Sequence, residues 1–182
     1  MIGSSAGGLN ALKVLFHGLD YRFNIPLIIV QHISPDSENY LIHILNNIMK
    51  LQVKEADEKE QPMPGMAYLA PPNYHLLLEP DRTFTLTIDE RVNYARPSID
   101  VLFETAAEAY KEKLVGVVLT GANNDGSKGL KKIKEFGGLA IVQDPDTAEV
   151  DSMPRSAMQA TTVDHIIPLE EIAPFLNSLL EM

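Results

Sequence analysis

The chain alternates short apolar runs with longer stretches whose apolar residues recur at helical spacing. Pro26-Leu27-Ile28-Ile29-Val30 is a β-branched run of the kind that fills a buried strand. Val115-Gly116-Val117-Val118-Leu119, Leu139-Ala140-Ile141-Val142 and His165-Ile166-Ile167 read the same way. Between them lie segments with an apolar stripe. Leu9, Leu12, Leu15 and Phe16 form one; Leu41, Ile44, Leu45 and Ile48, within Asn39 to Met49, form another. Lys128 to Phe136 carries Leu130 and Ile133 on one face and stops at Gly137-Gly138. Glu170 to Leu180 reads as a closing helix. This alternation predicts an α/β fold: a doubly wound, mostly parallel sheet with helices on both faces. One region breaks the pattern. Ala67 to Ala70, His75 to Leu78 and Thr83 to Ile88 are short strands separated by Pro71-Pro72-Asn73 and Pro80-Asp81-Arg82. They predict a hairpin or meander inserted in the α/β frame.

Composition narrows the picture. The chain is 182 residues long, without an internal repeat or a linker, and is expected to be one domain over residues 1–182. A hydrophobic content of 45% supports a core. There is no cysteine, which excludes disulfides, thiolate chemistry and cysteine-ligated metals. The His, Asp and Glu spacings fit no metal motif, and no cofactor fingerprint is present, so neither group is expected. No segment resembles a signal peptide, and the apolar runs fall far short of the roughly 20 residues of a membrane span. A cytoplasmic protein without membrane insertion is the expectation. The net charge of −10 repels phosphate backbones and argues against a nucleic-acid partner.

In an open parallel sheet, ligands bind beyond the carboxyl ends of the strands. Gln31-His32 follows the first apolar run, and Thr120-Gly121-Ala122-Asn123-Asn124-Asp125-Gly126 follows the second. Gly3-Ser4-Ser5-Ala6-Gly7-Gly8 precedes the first helical stripe. If a strand leads into Gly3, then Ser5, His32 and Asp125 share one sheet edge. A serine hydroxyl becomes nucleophilic when a base takes its proton. Histidine can accept and return that proton near neutrality, and an aspartate orients the imidazole. N–H groups at the following helix start can hold an oxyanion. Each residue also has a plainer reading. Ser5 can be a helix N-cap. The glycine-rich turn can cradle a phosphate, although it matches neither the dinucleotide fingerprint nor the P-loop. Asn-Asp-Gly is a common turn, and a lone histidine after a strand is more often structural. His17, His43, His75 and His165 read as structural or surface residues.

Several stretches, taken in order, resemble the catalytic domain of the chemotaxis protein-glutamate methylesterases, the CheB family. They are Gly3-Ser4-Ser5-Ala6-Gly7-Gly8, Val30-Gln31-His32, Pro64 to Pro71, His75-Leu76, Arg96 to Phe103, Leu119 to Gly126, Gln143-Asp144-Pro145 and Met153-Pro154-Arg155. The resemblance covers nearly the whole chain. It implies a doubly wound fold and hydrolysis of γ-glutamyl methyl esters on the methylated cytoplasmic region of chemoreceptors, with deamidation of receptor glutamines as a second activity. Other chemosensory proteins are further implied partners. It assigns Ser5 as nucleophile, His32 as base and Asp125 as orienting acid. The backbone N–H groups of Ala6 and Ala122 are the candidate oxyanion donors, and Arg155 is a candidate for substrate contact or structural pairing.

The chain departs from the family at several points. Ala6 and Ala122 stand where the family often has threonine and methionine, and Asp151-Ser152 replaces a more apolar pair. No receiver domain precedes the motifs, so control by phosphorylation in cis is not expected. Only Met1 and Ile2 precede Gly3, where a strand should lead in, so three readings stand open: a true start upstream, a chain cut from a longer protein, or a first strand that is a stub. Two rival readings stand beside the methylesterase: an esterase or amidase of the same mechanism acting on another substrate, and a weakly catalytic signalling interaction module.

Overall fold

A computed structural model describes residues 1–32, 38–48 and 51–181. Met49 and Met182, the ends of the expected second helix and of the expected domain, lie outside the described residues. Seven strands form one parallel sheet in the order β3-β4-β2-β1-β7-β8-β9. They are β1 (Ile2–Ser4), β2 (Leu27–Gln31), β3 (Gln52–Glu55), β4 (Met66–Leu69), β7 (Val115–Val118), β8 (Leu139–Gln143) and β9 (His165–Ile167). β5 (His75–Leu78) and β6 (Phe84–Thr87) pair antiparallel as a separate hairpin. The helices are α1 (Gly8–Gly18), α2 (Glu38–Ile48), α3 (Ile99–Tyr110), α4 (Ser127–Glu135), α5 (Ser152–Ala160) and α6 (Leu169–Ser178). Among the described residues no helix is long and apolar enough to cross a membrane.

Two cores sandwich the sheet because successive strand residues point to opposite faces. Ile29, Val117 and Ile141 face α1, α2 and α6, where Leu12, Leu15, Leu45 and Ile172 meet them. Ile28, Val30, Val118 and Val142 face α3, α4, α5 and the hairpin, against Phe103, Leu130, Ile133, Ala157 and Phe84. The apolar runs read in the sequence are therefore continuous because both faces are covered.

Three local outcomes refine the sequence reading. Of the three short strands expected between Ala67 and Ile88, the first joins the main sheet between β3 and β2, and the other two make the hairpin. The stub at the start recruits the glycine and serine of the turn: β1 is Ile2–Ser4, fully buried between β2 and β7. Leu119 N–H donates to Gly3 O at 2.9 Å, and His32 N–H to Ser4 O at 3.0 Å, so the stub is bonded on both sides to its last residue. Two further helices, α3 and α5, appear inside stretches first noted only as motifs.

Candidate active site

The winding reverses direction between β1 and β7, which makes the carboxyl end of those strands the crevice of the sheet. Ser5 follows β1, His32 follows the neighbouring β2, and Asp125 lies in the loop after β7. The middle strand of the three thus carries the serine, with the histidine and aspartate arriving from either side.

Ser5 sits in the turn between β1 and α1. Its N–H donates to Thr120 O at 3.0 Å, and its carbonyl accepts Gly8 N–H at 2.8 Å. The N-cap of α1 is Gly7, in the left-handed region at φ 77°, with no side-chain capping bond. The helix therefore starts without using the Ser5 hydroxyl, which has no hydrogen-bond partner among the described residues. The left-handed turn at Gly7 is open to glycine at little steric penalty. Gly121 serves a different purpose: a Cβ there would lie 2.0 Å from Met153 Sδ and 2.9 Å from Ser5 Cβ. Met153 N–H also donates to Gly121 O at 3.0 Å, so the Met153-Pro154-Arg155 stretch buttresses the floor beneath the serine.

His32 Nε2 lies 3.0 Å from Asp125 Oδ2. Asp125 is fully buried. Its Oδ2 also accepts Ile99 N–H at 2.7 Å. Its Oδ1 accepts Asn93 Nδ2 at 2.8 Å, Ser98 Oγ at 2.8 Å, Asp100 N–H at 3.1 Å and Gly126 N–H at 3.2 Å. Burial alone would raise this carboxyl's pKa, but the bonds from His32, Ile99, Asn93 and Asp100 outweigh it and hold the pKa below the ordinary value. The Ile99 and Asp100 donors are the first N–H groups of α3, so the positive end of a helix faces the charge. Asp100, itself 2% exposed, is pushed the other way, first by burial and further by the neighbouring Asp125 charge, despite bonds from Gly129 N–H and Asn93.

Gln31 fastens the serine and histidine loops together. Its Nε2 donates to Ser5 O at 2.9 Å and to His32 O at 2.8 Å, and its Oε1 accepts Ser4 Oγ at 2.6 Å. One side chain thereby fixes the spacing of the two loops that carry the hydroxyl and the imidazole.

The CheB methylesterase family model matches residues 1–176. The chain belongs to the CheB methylesterase family. A putative protein-glutamate methylesterase/protein-glutamine glutaminase of Leptospira interrogans is 59% identical over 173 residues, spanning 95% of this chain and 90% of that protein. A protein-glutamate methylesterase/protein-glutamine glutaminase of Thermotoga maritima is 36% identical over 182 residues, but the match spans only 53% of that protein. The crystal structure of the Thermotoga maritima CheB methylesterase catalytic domain superposes with a TM-score of 0.93 at 36% identity, covering 98% of this chain and 96% of that one. The doubly wound fold expected from the sequence is thus the fold of a CheB catalytic domain.

Within this CheB-family chain, Ser5, His32 and Asp125 come to one edge, and His32 and Asp125 are bonded. Among the described residues no hydrogen bond joins Ser5 Oγ to His32. Ala6 and Ala122 are exposed in the flanking loops, and neither N–H has an acceptor among the described residues. Arg155 is exposed, and its Nε donates to Asp151 at 2.6 Å, one turn earlier at the start of α5. His75 is a buried structural residue, accepting Ser98 N–H at 3.2 Å and donating to Glu90 O at 3.0 Å. Sequence reasoning assigned no role to Gln31, Asn93, Ser98 or Asn123. Only the local signal at Ser98, an N-cap ahead of an apolar periodic run, was readable in advance.

Proposed function

We propose that this chain is a protein-glutamate methylesterase, acting on methylated glutamates of chemoreceptors in the cytoplasm, with Ser5, His32 and Asp125 as its catalytic residues. The observation that carries the reading is the His32–Asp125 bond of 3.0 Å, made at the sheet edge where the Ser5 turn is stapled to the same loop by Gln31. The two relatives named above carry the methylesterase activity in their names, which supports the substrate class.

The chemistry follows from the donor set. Ionised Asp125 only accepts, so His32 Nε2 carries the proton and Nδ1 the lone pair. Ser5 Oγ attacks the ester carbonyl carbon, and Nδ1 takes its proton. The carbonyl oxygen becomes an oxyanion, for which the unpartnered N–H groups of Ala6 and Ala122 are the donors. The tetrahedral intermediate collapses, the carbon–methoxy bond breaks, and Nδ1 returns the proton to release methanol. Water then attacks the acyl-enzyme by the same relay, leaving a glutamate and free Ser5. With a glutamine substrate the same steps release ammonia, matching the glutaminase in the relatives' names.

The test is methanol release from methylated receptor segments. Ser5→Ala is expected to lower the rate by at least about 10³-fold, about 4 kcal/mol of barrier. Equal release by both proteins would contradict the nucleophile. Robust hydrolysis of simple esters by the unsubstituted protein, without action on receptor segments, would instead favour another substrate.

A further inference from the structure

Asn123 holds the nitrogen of His32 that faces away from Asp125. Its Nδ2 lies 3.3 Å from His32 Nδ1, and its Oδ1 accepts Asp125 N–H at 2.9 Å. The amide cannot be turned round: reversed, it would set a donor against the Asp125 N–H and an acceptor against the Nδ1 lone pair. Three bonds therefore close a ring. Asp125 N–H donates to Asn123, Asn123 N–H to His32 Nδ1, and His32 Nε2–H to the Asp125 carboxylate.

This ring holds only while His32 is neutral. Once Nδ1 accepts the Ser5 proton it becomes a donor, and the Asn123 N–H then faces another N–H. The contact belongs to the resting state and is lost on the way to the transition state, and an interaction of that kind slows the step it precedes. With His32 as its base, the Ser5 hydroxyl needs the same nitrogen. The Ser5 N–H is bonded to Thr120 O, three residues before Asn123, and its hydroxyl has no partner among the described residues. We propose that Asn123 is a positioning residue that caps the general base, holding the Nδ1 lone pair at rest and yielding it to the Ser5 hydroxyl for reaction. The inference rests on Ser5 and His32 acting as proposed above.

Two substitutions at this position have opposite consequences. Asn123→Ser keeps a short acceptor for the Asp125 N–H but cannot reach Nδ1, so the base is uncapped. Asn123→Asp keeps the same acceptor but sets an anion against Nδ1 and holds a proton there, so the ring cannot take one from Ser5. The probe is a fluorophosphonate, with the adduct on Ser5 followed by peptide mass spectrometry and folding checked by circular dichroism. Asn123→Ser is expected to label about three- to tenfold faster than the unsubstituted protein, the worth of one neutral hydrogen bond. Asn123→Asp is expected to label more slowly. A residue that merely supported the loop would slow labelling in both variants or in neither, and either result overturns the cap. Should Asn123→Ser fail to fold, Asn123→Thr, which keeps the hydroxyl acceptor and likewise uncaps the base, takes its place: faster labelling supports the cap, and equal or slower labelling overturns it. If Ser5 labels equally well in His32→Ala, the triad itself fails and the cap with it, an outcome separable from a failure of Asn123 alone.

Discussion

Asp125 and Asp100 are buried side by side, share the amide of Asn93, and are driven apart in proton affinity. Asp125 takes the N-terminal N–H groups of α3, while Asp100 receives fewer donors and feels its neighbour's charge. The signs of their pH effects are opposite. Asp125, with its pKa depressed by folding, stabilises the fold above the ordinary carboxylate value of about 3.9, and this contribution is lost as pH falls below it. Asp100, with its pKa raised, makes stability decline as pH rises through the interval above about 3.9. Asp125→Asn is expected to lower the unfolding free energy at neutral pH by about 2–4 kcal/mol, because buried donors lose a charged acceptor. In urea titrations the gap to the unsubstituted protein should narrow progressively as pH falls below about 3.9, where the unfolded chain takes up the aspartate's proton first. A gap of constant size would remove the charge from this explanation. None of this was readable from Asn-Asp-Gly as a string, since four of the groups that bond Asp125 lie 25 to 32 residues away.

Elements with their own period were legible. β2, β7, β8 and β9 were marked by apolar runs, α1, α2 and α4 by stripes, and α6 was read as the closing helix. The misses have physical reasons. β3 is a four-residue edge strand with one buried position, too short to show alternation. α5 carries Pro154 in its first turn, which tolerates proline but disguises the helix in sequence. α3 had readable signals, Ser98 as N-cap and Ile99, Leu102, Phe103, Ala106 and Ala107 as a buried face, obscured by reading the segment as a motif. The pairing of β4 into the main sheet could not be seen because an isolated short strand carries no mark of its partner. At this scale Gln31 is the critical joint, since it spans the ends of β1 and β2. Gln31→Met keeps the length and removes every bond of the staple. It is expected to cost about 1–3 kcal/mol of stability. Loosening of the serine–histidine spacing should also slow ester hydrolysis by about tenfold or more. Denaturant titration and steady-state kinetics on one preparation check both. Unchanged kcat alongside lost stability would make Gln31 structural only.

For the whole molecule, the strand order explains the chain order Ser, His, Asp. The chain winds outward from β1 through β2, then crosses back to lay β7 on the other side, so residues 5, 32 and 125 become neighbours. The fold class was legible because strand and helix alternate, and the shared edge was legible because polar residues follow apolar runs. The donors around the Asp125 carboxylate were not, because they arrive from the turn at Asn93 and the start of α3, which only the crossover brings near. The chain spans nine-tenths of its Leptospira relative but about half of the Thermotoga one, so the catalytic unit of this family recurs in proteins of quite different length. The central claim is that this edge turns Ser5 into a nucleophile. It is tested most directly by treating the protein and its His32→Ala variant with a fluorophosphonate and locating the adduct by peptide mass spectrometry. The adduct is expected on Ser5 and should form at least about 10²-fold more slowly without His32, the low end of general-base contributions. An unmodified Ser5 in the folded protein, or equal labelling with and without His32, would contradict the claim.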